Sequence, residues 1–327
     1  MILITGGAGY IGSHCAINFL NAGYELVIFD NLVNGRIETV NSLKKISNVK
    51  FIQGDLKNAE EINNVFKENK IDAVIHFAGY LEVEESVKNP AKYYQNNIIG
   101  TLNLLDGMIK NNVKHIVFSS TCAVYGEAKY TPIDENHPKN PVNPYGKTKL
   151  IIEKILEDYD NAYGIKSICL RYFNAAGADS LSRIGECHEP EIHLIPNIIK
   201  SIFKKERTFK IFGTDYDTPD GTCIRDYINV EDLAQAHHLA YLFLKENNKS
   251  DCFNLGTEKG SSVKEVFNTA ENVTGEKINY EITQRRAGDP AILYADTTKA
   301  KKLLNWKCEK SLEESIKSAY NWEKSQF

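Results

Sequence analysis

The 327-residue sequence lacks any apolar run close to the roughly 20 residues that a membrane-spanning helix needs. It has no basic leader before its first apolar stretch, so we expect neither a membrane anchor nor a signal peptide. Positive charge is not in excess either, because 39 Lys and Arg face 43 Asp and Glu, for a formal net charge of −4. A nucleic-acid-binding protein is usually basic, so this composition argues against that class.

Cysteine pairs and metal-ligand clusters are also missing from the pattern. The seven cysteines form no CxxC pair and no disulfide-like spacing, which is typical of reduced thiols in a cytoplasmic enzyme. His237 and His238 are adjacent, so on a helix their side chains point in different directions, and we predict no metal site. Repeats, low-complexity tracts and linker-like regions are absent as well.

Short apolar runs alternate with helix-length segments in the first half. Strands are predicted at 2–5, 24–29, 49–53, 72–78 and 114–119, and helices at 10–22, 58–69 and 91–112. This alternation predicts an α/β fold, a Rossmann-type doubly wound parallel sheet covered by helices on both faces. The strands are continuous apolar runs, as expected where both sheet faces are buried.

The second half is less regular. A helix at 145–163 and a strand at 166–172 precede a loop-rich stretch, 174–191, and a helix near 193–205. A long loop within a compact domain usually has a binding role. We therefore predict a dinucleotide-binding domain over 1–173, to which parts of 213–250 return, and a smaller, interleaved substrate-binding α/β lobe formed mainly by 174–327.

Three glycines follow the first strand. Gly6, Gly9 and Gly12 enclose Tyr10 and Ile11 in a GxxGxxG arrangement that opens a helix. Glycines permit a tight turn and close approach of a pyrophosphate, which the helix N-terminus then attracts. The pattern predicts a dinucleotide site.

Acidic and small residues end the following strands. Asp30, 18 residues after Gly12, is placed to bind both adenosine ribose hydroxyls and to repel the extra phosphate of NADP, which favours NAD. A turn-starting Asp before Asn31 is the alternative reading. Asp55, followed by Leu56, is expected near the adenine amine. Small residues after the fourth strand would let the dinucleotide pass; they lie in the segment Phe77, Ala78 and Gly79. For the segment at Asp55 and the segment at 77–79, the alternative is a simple turn between a strand and a helix, without a ligand.

The catalytic prediction rests on Tyr145 and Lys149, a YxxxK pair that shares one helix face. Ser119, Ser120 and Thr121 supply hydroxyls just after the fifth strand. A free tyrosine has a pKa of about 10, and nearby positive charges from Lys149 and a nicotinamide ring favour its phenolate. Lowering that pKa by roughly 3 units takes about 4 kcal/mol of differential stabilisation. Lys149 is also expected to hold the nicotinamide ribose, and Thr121 to hydrogen-bond the reacting oxygen.

Several segments together carry a family resemblance that runs from residue 1 to about 325. They are GGAGYIG, DNL at 30–32, HFAG at 76–79, YYQNN at 93–97, SST at 119–121, NPYGKTK at 143–149, RYFNAAGA at 171–178 and DGTCIRDYINVEDLAQAH at 220–237. The chain resembles the extended short-chain dehydrogenase/reductase family, and within it the UDP-glucose 4-epimerases. The resemblance implies inversion of C4 of a UDP-hexose through a 4-keto intermediate, with NAD retained and Tyr145 as acid/base.

Further site residues follow from the resemblance. It implies that Asn174 binds the UDP-sugar, that Arg225 clamps a phosphate, and that Arg286 and Asp289 meet phosphate and uridine ribose; a salt bridge to Asp226 is the alternative for Arg225 and a solvated surface residue for Arg286. Phe212 is expected along the uracil, with a core role as the alternative. The remaining expected cofactor neighbours are Asn31, Asn34, Asn96 and Phe173, and the remaining substrate neighbours are His193 and Leu194.

The chain departs from the family pattern at four places. Leu81 stands where many relatives have Lys, with Glu82 and Glu84 nearby, and Thr121 replaces a frequent Ser. His193 replaces an Asn of some relatives, with a plain helix-entry role as the alternative. Leu293 stands where a bulky Tyr is associated with rejection of N-acetylated sugars, so we expect UDP-GlcNAc and UDP-GalNAc to be accepted.

Other activities on the same fold remain as alternatives. A 4,6-dehydratase needs an acidic pair after the Ser/Thr hydroxyl, where this chain has Cys122 and Ala123. A uronate epimerase or decarboxylase, an NADPH-exchanging reductase, disfavoured by Asp30, and a non-catalytic NAD-binding regulator are the others. Relatives often pair helices equivalent to 91–112 and 145–163, which implies a homodimer.

Overall fold

A computed structural model describes residues 1–204, 208–285 and 290–326. Its first half contains the elements β1 (Ile2–Thr5), α1 (Tyr10–Asn21), β2 (Leu26–Asp30), α2 (Ile37–Ile46), β3 (Lys50–Gln53), α3 (Ala59–Glu68), β4 (Ala73–His76), α4 (Val83–Lys88), α5 (Pro90–Tyr93), a π-helix (Tyr94–Ile99), α6 (Gly100–Lys110), β5 (His115–Ser119), a 3-10 turn (Cys122–Val124), α7 (Pro144–Tyr163) and β6 (Lys166–Tyr172).

The second half has shorter strands. Its elements are β7 (Asn174–Ala176), α8 (Leu194–Phe203), β8 (Phe209–Phe212), β9 (Ile224–Arg225), β10 (Tyr227–Asn229), α9 (Val230–Asn247), β11 (Asp251–Leu255), β12 (Ser261–Ser262), α10 (Val263–Thr274), β13 (Tyr280–Thr283), β14 (Ile292–Leu293), α11 (Thr298–Leu304) and α12 (Leu312–Lys324). In the described residues, no helix is at once long and apolar enough to cross a membrane.

The main sheet has seven parallel strands in the order β11-β6-β5-β4-β1-β2-β3. Strands β1, β2 and β4 are buried along their whole length, which explains their uninterrupted apolar sequences. Two clusters of buried side chains cover the two faces of the sheet, one containing α1 and α9 and the other α3, α6 and α7. The predicted Rossmann-type fold class is confirmed.

A separate apolar cluster lies in the smaller lobe, between α8, α10 and α12. Two elements tie the halves together: α9 packs against α1, and β11 forms the edge of the main sheet beside β6. Strand β11 begins just beyond the 213–250 segment that was expected to return to the first domain. The division into a 1–173 domain and a 174–327 lobe stays a prediction.

Two local features differ from the sequence-based expectation. The helix predicted over 91–112 contains a π-helical turn at Tyr94–Ile99, and the loop predicted over 174–191 begins with β7, which pairs in parallel with β10. Turns of π-helix are rare in proteins, but those that occur are often at functional sites. The carboxyl ends of the central strands lie at one edge of the sheet. The π-helix and the loop both reach that edge.

Candidate active site

A cleft of about 1330 Å³, including its solvent-open part, lies at the carboxyl ends of the central strands. This is where open α/β sheets bind ligands. All the residues expected at the cofactor line it: Gly6, Gly9, Tyr10, Ile11, Gly12, Asp30, Asn31, Asn34, Asp55, Leu56, Phe77, Ala78, Gly79, Asn96, Tyr145, Lys149 and Phe173. Of the expected substrate residues, Asn174 and His193 are on its wall.

The glycine turn is built for close backbone contact. Gly6 has φ +71°, and a Cβ on it would lie 2.6 Å from the backbone nitrogen of Ala78. A Cβ on Gly12 would lie 2.3 Å from the carbonyl oxygen of Gly6. Helix α1 then starts at Tyr10 after Gly9, with no side chain capping it. The turn therefore leaves the positive end of α1 facing the cleft, ready for an anion.

Asp30 is buried at the end of β2 and holds the glycine turn. Its Oδ2 accepts a hydrogen bond from the backbone nitrogen of Ala8 at 3.0 Å, and its Oδ1 accepts one from Leu32 at 2.8 Å. Burial raises the pKa of this carboxyl above its ordinary value, while the two backbone donors lower it. Asp30 thus has a structural role in addition to the predicted ribose contact.

The YxxxK pair lies at the other end of the cleft. Asn143 caps α7, its side chain accepting from the Gly146 nitrogen at 2.8 Å. Lys149 is buried, and its Nζ donates to the carbonyl oxygen of Ser119 at 2.8 Å and lies 5.9 Å from the centre of the Tyr145 ring. The side chain of Thr121 lies beside the hydroxyl of Tyr145 and lowers its pKa. The three predicted catalytic residues are therefore brought together.

Burial acts on the two ionisable groups in opposite directions. It raises the pKa of Tyr145 to about 12, an effect that the neighbouring Thr121 side chain partly offsets. It lowers the pKa of Lys149 to about 8, which the carboxylate of Glu153 partly offsets. The tyrosine pKa in the protein itself therefore lies above its ordinary value, opposite to the direction expected beside a bound positive ring. Burial is the largest cause of the difference.

Asn97 is a site residue that the sequence analysis missed. Its Oδ1 accepts from the Tyr80 nitrogen at 2.8 Å, and its Nδ2 donates to the Tyr80 carbonyl and to Thr148 Oγ1, both at 3.1 Å. These bonds join the segment after β4 to α7, directly behind Lys149. The segment YYQNN contained a signal, because a buried Asn must have hydrogen-bond partners.

The other substrate candidates among the described residues do not line the cleft, and two candidates lie outside the described residues. Leu293, on β14, pairs with Arg225 on β9 and, like Cys122, packs against a cluster that includes Phe173. Arg225 Nη1 donates to the Ile224 carbonyl oxygen at 2.8 Å. The carboxylate of Asp226 accepts from the backbone nitrogens of Thr257 and Ala295.

Two further candidates pack away from the cleft wall. Leu194, at the start of α8, packs against the core of the smaller lobe, and Phe212 ends β8 half-buried. Arg286 and Asp289 lie outside the described residues. The cleft also includes residues that the sequence analysis did not name: Phe29, Val33, Gly35, Gly54, Tyr80, Tyr172, Ala175 and His188. Leu81 and Ser119, which were named without an assigned contact, line it as well.

Comparison with known proteins decides the family. A family model described as GDP-mannose 4,6 dehydratase matches residues 3–319. A curated UDP-glucose 4-epimerase from Halalkalibacterium halodurans is 49% identical over 324 residues, covering 99% of this chain and 95% of the relative. The chain belongs to the UDP-glucose 4-epimerase family. The family resemblance and the enzyme class expected from the sequence are thereby confirmed.

Solved structures of this family have the same fold. A UDP-glucose 4-epimerase from Bifidobacterium longum in complex with NAD+ and UDP is 41% identical, with a TM-score of 0.93 and coverage of 99% of this chain and 98% of that one. A UDP-Glc/GlcNAc 4-epimerase from Campylobacter jejuni is 42% identical, with a TM-score of 0.87 and 99% coverage of both chains. At positions 122 and 123 the family member described here has no acidic pair, and burial raises the pKa of Cys122 to about 12, so the dehydratase alternative lacks its proton donors.

Proposed function

We propose that this chain inverts C4 of a UDP-hexose, interconverting UDP-glucose and UDP-galactose with NAD held in the cleft. The observation that carries the proposal is the grouping of Tyr145, Thr121 and Lys149 at one end of a cleft whose other end is the glycine turn. Proton removal from a sugar alcohol requires a general base, here the tyrosine. A neighbouring hydroxyl can orient that base, and a buried ammonium can stabilise its ionised form.

The cleft fits a dinucleotide on structural grounds. A Cβ at Gly6 or Gly12 would collide with backbone atoms, so the turn is shaped for close approach, and the uncapped start of α1 suits a pyrophosphate. In the proposal Asp30 binds the adenosine ribose, Asp55 the adenine and Lys149 the nicotinamide ribose. NAD, when bound, would supply a hydride acceptor that returns the hydride to the opposite face of a transient 4-keto sugar.

The protein's own groups would handle the proton. Tyr145 would take the proton of the 4-hydroxyl and later return it, with Thr121 hydrogen-bonded to the tyrosine to fix its orientation. Lys149 would stabilise the phenolate. A hydrogen bond to the Ser119 carbonyl helps to hold the ammonium in place. Tyr172 helps to hold Ser119 in place through a hydrogen bond with the Ser119 hydroxyl.

For the nucleotide sugar, the proposal assigns contacts to Asn174, His193 and Arg225. Asn174 is on the cleft wall, where its Nδ2 donates to the Asp226 carbonyl at 3.0 Å. Arg225 suits a phosphate because its planar fork donates two hydrogen bonds at once. The roles of Leu194, Phe212, Arg286 and Asp289 toward the nucleotide remain predictions.

Leu293 supports a wider sugar specificity. Leu293 and Cys122 pack against the same apolar cluster, and Cys122 directly follows Thr121, so a leucine at position 293 leaves more room in this region than a tyrosine. The related protein from Campylobacter jejuni is described as a UDP-Glc/GlcNAc 4-epimerase. We therefore propose that UDP-GlcNAc and UDP-GalNAc are also substrates, and absence of UDP-GalNAc turnover alongside active UDP-galactose turnover would reject this.

A coupled assay of the purified protein on UDP-galactose, without added NAD, tests the main proposal. We expect UDP-glucose to form. Tyr145→Phe should lower kcat by about 100- to 10,000-fold, the usual range for loss of a general acid/base. Tyr159→Phe, in the same helix but outside the cleft lining, is the matched control. If wild type makes no product even after NAD is added, the proposed activity is wrong.

We also propose a cytoplasmic homodimer. All seven cysteines are free, as expected in a reducing compartment. Ile99, the last residue of the π-helix, and Ile151, on α7, are 46% and 37% exposed, and α7 packs against the π-helix, so both extend one helical surface. Light scattering that detects only a 36.9 kDa species would exclude the dimer, and cell fractionation checks the compartment.

A further inference from the structure

Four side chains converge in the loop between β7 and α8. One ligand atom from each of Glu186, His188, Glu191 and His193 lies within 4.8 Å of all the others. We propose that this cluster binds a divalent transition-metal ion, with Zn²⁺ as the best fit, beside the dinucleotide cleft. Two imidazoles and two carboxylates are a ligand set that Zn²⁺ accepts in tetrahedral geometry.

The side chains are already directed at a common point. Glu186 Oε1 is hydrogen-bonded to His193 Nδ1 and lies 3.0 Å from His188 Nδ1. Glu191 Oε1 lies 3.9 Å from His193 Nδ1. Zn²⁺ bonds of about 2.0 to 2.1 Å place neighbouring tetrahedral ligands about 3.3 Å apart. Small side-chain rotations are therefore enough to complete the site.

The position of His188 adds a geometric reason. Its Nδ1 is buried and lies 3.0 Å from Glu186 Oε1, the same oxygen that is hydrogen-bonded to His193 Nδ1. Two imidazole nitrogens therefore share one carboxylate oxygen, and a metal ion would give each nitrogen a ligand bond of its own.

The charge balance also suits a divalent cation. The carboxylates of Glu186 and Glu191 are only 4% and 3% exposed. Lys200 pairs with the other oxygen of Glu191 at 3.0 Å. With neutral imidazoles, two carboxylates and one ammonium leave one negative charge in the interior, where an uncompensated charge is costly. Protonation of a histidine is the other way to compensate this negative charge. It requires no metal ion, so metal-binding measurements distinguish the two explanations.

The position of the cluster gives the ion a role at the cleft. His188 and His193 are on the cleft wall, while the backbone carbonyl of Glu186 accepts from Trp322 Nε1 of α12 at 3.3 Å. Arg36 Nε reaches across from the nucleotide side to the Cys187 carbonyl at 3.2 Å. A metal joining residues 186–193 would therefore fix the loop that connects the smaller lobe to the cleft.

Metal titration of the full-length protein tests the proposal. After dialysis against a chelator, Zn²⁺ is added in competition with a chromophoric chelator. We expect one ion per chain and a rise in Tm on loading. His188→Ala and His193→Ala should each weaken binding at least about tenfold, as loss of a metal ligand does at minimum. His115→Ala, which removes a histidine paired with Asn248 elsewhere, is the matched control and should bind as wild type does.

Co²⁺ distinguishes this site from binding by cysteine. The proposed ligands should give visible d–d absorption of tetrahedral Co²⁺ without a cobalt–thiolate band, and Cys187→Ser should leave the spectrum unchanged. Absence of stoichiometric Zn²⁺ binding by the wild type would overturn the proposal. Wild-type Zn²⁺ affinity in both histidine variants, with intact circular dichroism, would overturn it too. The cluster would then be a set of ion pairs. A thiolate band lost in Cys187→Ser would overturn it as well. Glu191→Gln provides a second ligand variant if a histidine variant fails to fold.

Discussion

Replacing Lys149 with methionine removes a buried charge while nearly preserving side-chain length. The ammonium lies 5.9 Å from the centre of the Tyr145 ring, and two unit charges at that distance interact by about 3 kcal/mol at an effective dielectric constant of about 20. At about 1.4 kcal/mol per unit, this raises the tyrosine pKa by about 2 units. The fraction of phenolate, and with it kcat near neutral pH, should fall about 100-fold.

The same substitution should stabilise the fold. Burial lowers the pKa of Lys149 to about 8 from its ordinary value of 10.5, so between those pH values the unfolded chain binds more protons than the folded one. Stability of the wild type therefore rises with pH across this window. Below pH 8 the buried ammonium costs about 3 kcal/mol, and above about 10.5 the cost is gone. Lys149→Met should thus be more stable than wild type at pH 7, and the difference should vanish by about pH 10.5.

The assay pairs epimerisation of UDP-galactose by NAD-loaded protein with urea unfolding of the NAD-free protein at several pH values. Bound NAD is quantified in each sample, so that loss of cofactor is not mistaken for loss of catalysis. Lys147→Met, on an exposed position of the same helix, is the control. The reasoning is refuted if NAD-loaded Lys149→Met works within about threefold of wild type, or if its stability follows the wild-type pH dependence.

Three further substitutions test other parts of the cleft. A Cβ at Gly12 would lie 2.3 Å from the Gly6 carbonyl, against 3.3 Å for Gly9, so Gly12→Ala should weaken NAD binding at least about tenfold more than Gly9→Ala in a fluorescence titration. Asp30→Asn should weaken NAD binding about tenfold and narrow the NAD/NADP affinity ratio, because it removes the repelling charge; an unchanged ratio counts against the ribose contact. Leu293→Tyr should abolish UDP-GalNAc turnover while UDP-galactose turnover persists, and equal losses for both sugars would contradict a specificity role.

The parts of the fold with strong local signals were predictable. The continuous apolar runs at 2–5 and 114–119 coincide with β1 and β5, because strands buried on both faces must be apolar throughout. The residues predicted at the cofactor all line the cleft, since their positions after strands are fixed by the parallel sheet. Helix α2, by contrast, is absent from the prediction; only Val40 and Leu43 of it are buried, so its sequence carries a weak periodic signal.

Features that depend on contacts between distant segments were not predictable. The π-helical turn at Tyr94–Ile99 carries Asn97, whose bonds to Tyr80 and Thr148 become visible only when the segment after β4 and helix α7 are brought together. The cluster that we propose as a metal site was missed for a similar reason. Its residues are spaced 186, 188, 191 and 193 along a loop, and no helix or strand period predicts that their side chains converge.

The catalytic end of the cleft combines polar groups that an apolar sheet would otherwise exclude. Beneath Lys149, Ser120 donates to Glu153 at 2.6 Å, and Arg171 forms two hydrogen bonds with the same carboxylate, at 2.8 and 2.6 Å. The buried Glu153 charge partly restores the pKa of Lys149 that burial lowers. Burial favours the neutral forms of both Tyr145 and Lys149, so the phenolate needs the ammonium and the ammonium needs Glu153. The strength of the base therefore depends on Lys149 and Glu153 together with Tyr145. Without these charged neighbours, a tyrosine at position 145 would remain a phenol.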